Sequence, residues 1–249
     1  MIATFRSFFL LLALAAATIA QTSLNYGFVS PNTKENLKIE DAIKGMRSVE
    51  ETKLVRQSMN LSCVVGTPVR AFVSLGSWSD GAEHSVMIRV KSDTSTVRYL
   101  LSRLGRDAQQ KSILYFHPQT TGNANLYTLK PRRPMRNLAA LAQTLDRAGI
   151  TFRTLVPVKS GTWIYVVDLK GELRKKVMTA AKRLRARVTA QAGAAAFVGD
   201  EKPDEAKVIF EEEIRNYEAK NPKLPPPCDS VDLKNPSNRT NRFLKRRGA

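Results

Sequence analysis

One stretch, residues 124–199, constrains the fold more than any other. An apolar run at 124–129 is followed by a helical pattern over 137–148. Two β-rich runs come next, 151–158 and 162–169, with Lys159, Ser160 and Gly161 between them. A second helical pattern covers 172–188, and a small apolar run ends at Phe197 and Val198. Leu138, Leu141, Leu145 and Ala148 recur at spacings of three and four, so they share one helix face. Leu173, Val177, Ala181, Leu184 and Val188 do the same, with Lys175, Lys176, Lys182, Arg183 and Arg187 opposite. In the run 162–169, Trp163, Tyr165 and Val167 alternate with Ile164 and Val166, so both faces are apolar.

The order strand, helix, strand, strand, helix, strand predicts a ferredoxin-like split βαβ sandwich (βαββαβ), a four-stranded sheet with two helices on one face. Residues 24–117 repeat that order. A short strand at 24–30 precedes a helical pattern at 37–56 and a β-rich run at 60–75. A strand at 85–90 leads to a helix marked by Val97, Leu100, Leu101, Leu104 and Ala108, with Asp93 as its cap, and then to a strand at 112–116. The expected fold class is therefore α+β, with two tandem modules at 21–120 and 121–200. Residues 201–249 add an amphipathic helix with Phe210, Ile214 and Tyr217 on one face, a proline-rich spacer at 222–227 and a basic tail.

The N-terminus predicts export. Arg6 precedes an almost continuously apolar run at 8–17, and small residues lead to Ala20, the layout of a signal peptide over 1–20. The run is short for a membrane span, and no later segment could span, so the expected location is secreted or periplasmic. In an oxidising compartment the two cysteines, Cys63 and Cys228, can form a disulfide.

Two cysteines and two histidines exclude a four-cysteine metal centre, and Asp80, Glu83 and His84 show no recognised ligand spacing. No cofactor or metal is expected. His84 and His117 could serve as acid and base in phosphodiester cleavage between the modules. The two-histidine phosphoesterase class places Ser or Thr two residues after each histidine, but Val86 and Gln119 stand there. No catalytic constellation assembles, and the chain reads as more binding protein than enzyme.

The formal net charge of +18 is the most informative property of the composition. Arg132, Arg133 and Arg136 cluster before the first helix of the second module, and Arg174, Lys175, Lys176, Lys182 and Arg183 lie along its second helix. Arg242, Lys245, Arg246 and Arg247 end the tail. Such a field attracts anionic partners and weakens with salt. Trp163 and Tyr165 are candidate stacking residues for a nucleic acid strand, but the glycine-aromatic pattern of that recognition mode is absent and export disfavours it. The functional expectation is an exported, non-enzymatic binding or assembly protein for an acidic protein or other polyanion. The alternatives are the two-histidine enzyme and a structural subunit of a larger assembly. The oligomeric state is left open.

Overall fold

A computed structural model describes residues 22–31, 37–78, 81–118, 122–200 and 202–228. The expected signal peptide at 1–20 and basic tail at 229–249, including Arg242, Lys245, Arg246 and Arg247, lie outside the described residues, as does Asp80.

The first half of the chain contains β1 (Ser23–Val29), α1 (Ile39–Lys44), α2 (Val49–Val65), β2 (Val69–Trp78), β3 (Gly81–Ser92), α3 (Thr94–Asp107) and β4 (Ser112–His117). The second half contains β5 (Ala124–Pro131), α4 (Leu138–Asp146), β6 (Arg153–Val158), β7 (Gly161–Asp168), α5 (Arg174–Arg183) and β8 (Ala186–Gly199). The last described helix is α6 (Pro203–Lys220). All strand neighbours are antiparallel, in the closed order β1-β3-β2-β6-β7-β5-β8-β4.

This corrects the expectation of two tandem split βαβ modules. Two open sandwiches would leave β2, β4, β6 and β8 as sheet edges with unpaired backbone groups. Instead β2 pairs with β6 from Leu75↔Leu155 to Ser77↔Arg153, and β4 pairs with β8 from Ser112↔Gly199 to His117↔Ala194. Closure removes every edge and encloses the second face of the sheet. The two-sided apolar pattern of 162–169 has its cause here. Ile164 and Val166 meet helices outside, while Tyr165 and Val167 are buried inside the barrel.

Two element assignments also change. The β-rich reading of 60–75 fails in its first part, because α2 runs on to Val65 and carries Cys63. A capping box between Ser48 and Glu51 starts that helix, and Gly66 ends it at a left-handed φ of 67°. The helical reading of 172–188 is too long. Leu184 caps α5, Arg185 turns the chain at φ 47°, and β8 begins at Ala186. The alanine-rich run 186–199 suits a helix by propensity. It is nevertheless a strand, held by β5 along Ala186–Gly193 and by β4 along Ala194–Gly199. At the changeover a Cβ on Gly193 would run into the His117 carbonyl, so a glycine is required there.

The core has three parts. Outside the first half, Val29, Val86 and Ile88 meet Leu54 of α2, Leu100 and Leu104 of α3, and Phe210 and Ile214 of α6. Outside the second half, Leu129, Ile164 and Val166 meet Leu141 and Leu145 of α4 and Val177 of α5. Inside the barrel, Tyr26, Met87, Phe116, Leu126, Val156 and Tyr165 pack together from six different strands. The α6 helix is fixed further by an Arg98–Glu213 ion pair and by stacking of Tyr217 on Tyr99 with ring centroids 4.3 Å apart. Cys228 follows an extended segment back to α2, where its N–H donates to the Asn60 carbonyl at 3.1 Å. Cys63 and Cys228 stand at disulfide distance, with Cα atoms 5.6 Å apart. Among the described residues, no helix is long and apolar enough to cross a membrane.

Candidate functional site

A groove of about 830 Å³ lies on the outside of the barrel. One wall is the segment after β5. Pro131 and Pro134 keep it extended until Asn137, whose side chain accepts from the Ala140 N–H at 3.0 Å and starts α4. The opposite wall is the last turn of α5 and the turn into β8. The Arg132 N–H donates to the Arg185 carbonyl at 3.1 Å and ties the two walls at one end. Gly161 makes the crossing of the first wall feasible. Its φ is 125°, and an added Cβ would come within 3.0 Å of Pro134 Cα.

Five cations line this groove: Arg132, Arg133, Lys182, Arg183 and Arg185. No carboxylate is among the lining residues, and none of the five makes an ion pair with another described residue. The apolar floor is formed by Met135, Met178, Ala181, Leu184 and Val188, and Met178 is 53% exposed. Lys182 and Arg183 have a local reason to be here, since cations are favoured at a helix C-terminus. Arg132, Arg133 and Arg185 have none. Their convergence places like charges side by side over an apolar floor, an arrangement that suits an anion carrying apolar groups.

The structure therefore brings Arg132, Arg133, Lys182 and Arg183 together. Arg136, Arg174, Lys175 and Lys176 are exposed but do not line the groove, and Lys176 Nζ reaches the Gly149 carbonyl at 3.3 Å. Arg185, Met135 and Met178 complete the site. The methionines carry no signal in a charge count, and Arg185 joins only because α5 ends before it.

The histidines do not meet. Ser30 donates to the His84 carbonyl at 2.8 Å, and Asn25 contacts the His117 ring. Asn25 lies on β1 and Ser30 just past its end, five residues of chain apart, roughly 17 Å. His84 Nε2 is 2.9 Å from the Ala42 carbonyl oxygen, under α1. His117 joins β4 to β1 and α3. Asn25 Nδ2 donates to the carbonyls of Ser23 and Ser92 at 2.8 and 2.9 Å, which leaves Asn25 Oδ1 facing His117 Nδ1. That assigns the ring proton to Nδ1, so Nε2 accepts from the Thr94 hydroxyl at 3.1 Å. Burial lowers the proton affinity of His117, and the Asp93 carboxylate opposes this only in part. The ring is a satisfied neutral clasp. Among the described residues, no cluster of His, Cys, Asp or Glu could hold a metal ion.

Trp163 and Tyr165 do not form an open stacking platform. Tyr165 is buried in the barrel 6.0 Å from Tyr26, and burial, with Tyr26 beside it, pushes its hydroxyl up to about 12. Trp163 is half-buried beneath Lys130, whose Nζ lies 4.1 Å from the ring centroid.

No protein-family model matches the chain, and no curated protein matches it. Solved structures that match weakly include a candidate monooxygenase from Fusobacterium nucleatum subsp. nucleatum, at 11% identity and TM-score 0.23, covering 72% of this chain and 94% of that one. A candidate monooxygenase from Lactobacillus acidophilus shows 9% identity and TM-score 0.24, covering 73% and 97%. An anthrone oxidase-like protein shows 6% identity and TM-score 0.23, covering 73% and 95%. Similarity at this level carries no argument about what this chain does.

Proposed function

We propose that this is an exported, non-enzymatic binding protein that engages an acidic protein segment through the groove between the 132–136 segment and the end of α5. The observation that carries this reading is the convergence on an apolar floor of five cations that make no ion pair among the described residues. The cations supply attraction at range, and the methionines supply adaptable contact for apolar side chains. An acidic peptide with interspersed apolar residues offers both, whereas a nucleic acid backbone would leave Met135 and Met178 unused. Export rests on the signal-like N-terminus, and a Cys63–Cys228 bond would suit an oxidising compartment. Arg242, Lys245, Arg246 and Arg247 would add to the same long-range attraction.

The test is capture of partners by full-length protein, beside a chain lacking 229–249 and an Arg133→Ser/Lys182→Ser/Arg183→Ser variant. The expected result is capture that weakens in the groove variant. Unchanged capture by that variant would refute the reading. Co-purification that survives moderate salt would instead identify a structural subunit of a larger assembly.

A further inference from the structure

The barrel has a second basic site, inside one of its ends. Arg70 and Arg89 are direct cross-strand partners in the β2–β3 ladder, and Lys130 and Arg187 are direct partners in the β5–β8 ladder. Both pairs have the parity of inward residues. Arg70 and Arg89 alternate with the lumen pair Phe72 and Met87, and Lys130 lies four residues from Leu126. Like charges directly opposite each other destabilise a sheet, and here the pattern occurs twice at one end. No carboxylate pairs with any of the four among the described residues.

Burial along the strands shows that this end is open. On β7, Trp163 is half-buried and Tyr165 is buried. On β6, Val158 is half-buried and Val156 is buried, and on β1, Leu24 is half-buried and Tyr26 is buried. On β5, exposure falls from Lys130 through Thr128 to buried Leu126. The result is a mouth rimmed by the half-buried Leu24, Phe72, Val158 and Trp163, which pack onto the buried Tyr26 and Tyr165. Its cations are already set against aromatic rings. The Arg89 guanidinium lies 5.6 Å from the Phe72 centroid, and Lys130 covers Trp163. This mouth is separate from the outer groove. Arg187 points inward, while its neighbours Ala186 and Val188 line the groove on the other face of β8.

We propose that this mouth binds a small planar aromatic carboxylate. Its ring would lie against Phe72 and Trp163 at the rim, and its carboxylate would relieve the repulsion between Arg70 and Arg89 by accepting from both.

The test titrates full-length protein with naphthalene carboxylate and with its uncharged carboxamide, by calorimetry and by tryptophan emission. The carboxylate should bind at least ~10-fold more tightly than the amide and quench Trp163. Arg70 is exposed and has no partner among the described residues, so Arg70→Gln should keep or raise the melting midpoint and weaken the carboxylate by at least ~5-fold. Trp163→Phe should remove the quenching, which assigns the emission change to the mouth and not to Trp78. An Arg133→Ser/Arg183→Ser groove variant should bind the carboxylate like the parent protein. Equal binding of acid and amide, no binding at about millimolar concentration, or an unaltered Arg70→Gln would each overturn the proposal. Failure here leaves the outer groove untouched, because that reading is tested with acidic protein partners and acidic peptide.

Discussion

The backbone N–H of Arg132 donates to the carbonyl of Arg185 across 3.1 Å, and this contact gathers charges that lie 53 positions apart in the chain into one groove. Both residues sit where regular structure stops, Arg132 just past β5 and Arg185 in the left-handed turn before β8. Backbone bonds at strand ends, rather than a helix face, hold this basic surface in register.

The first prediction concerns that register. Gly161→Ala places a side chain at φ 125° and within 3.0 Å of Pro134 Cα. A cost of ~1–3 kcal/mol in stability is expected, together with weaker binding of acidic ligands as the 132–136 wall shifts. Denaturant titration and a binding isotherm on the same variant would check both. A variant with parental stability would mean that the crossing at Gly161 is loose.

Barrel closure makes the halves interdependent. A fragment of residues 21–120 would expose β2 and β4 as edges and half of the lumen, and a fragment of 121–220 would expose β6 and β8. Neither is expected to fold alone, and mixing them should restore structure. Circular dichroism of each fragment and of the mixture decides this. Two independently folded fragments would contradict a closed sheet.

The cysteine pair is expected to be bonded in exported material. A Cys63–Cys228 bridge closes a sequence separation of 165 and pins the segment after α6 to α2. Cys63→Ser should therefore cost about 2–4 kcal/mol. Mass spectrometry of unreduced peptides reads the bond directly, and free thiols in both peptides would exclude it.

Acidification should loosen the His117 clasp. Burial holds its folded proton affinity below the usual histidine value of 6.5. As pH falls through that value, the unfolded chain takes up a proton that the folded chain resists, so stability drops on the acid side of neutrality. Asp93 acts at lower pH. Burial raises its carboxyl, but the N–H of Thr96 and the hydroxyls of Ser95 and Thr96 outweigh this and hold it below 3.8. Its contribution is present above that value and is lost as pH falls further. Melting curves from pH 7 downward should show the first decline, and His117→Phe should flatten it. An unchanged slope in that variant would contradict the clasp.

Much of the element order could be read from residue spacing. The stripes of α3 and α4 and the paired runs of β6 and β7 are local patterns. Closure could not be read, because it depends on Leu75 finding Leu155 and Leu114 finding Phe197 across long separations. The apolar alternation of Trp163 to Val167 records only that both faces are covered. Helix α2 was masked by β-branched residues near Cys63, where packing against Val86 and Ile88 overrides propensity. The cations of the groove, Arg185 included, were visible as charge clusters. The approach of Arg185 to Arg132 and the methionine floor were not, since the end of α5 and the return of β8 decide their places.

The central claim is that the outer groove is an anion site, and one titration tests it most directly. A labelled short peptide alternating Asp with Leu, and its Asn-for-Asp counterpart, are titrated with full-length protein and followed by anisotropy. The account predicts that the acidic peptide binds and loses ~10-fold or more in affinity between roughly 0.05 and 0.5 M salt. A comparable loss is expected with Arg133→Ser/Lys182→Ser/Arg183→Ser. Equal affinity for the two peptides, insensitive to salt and to these substitutions, would contradict it.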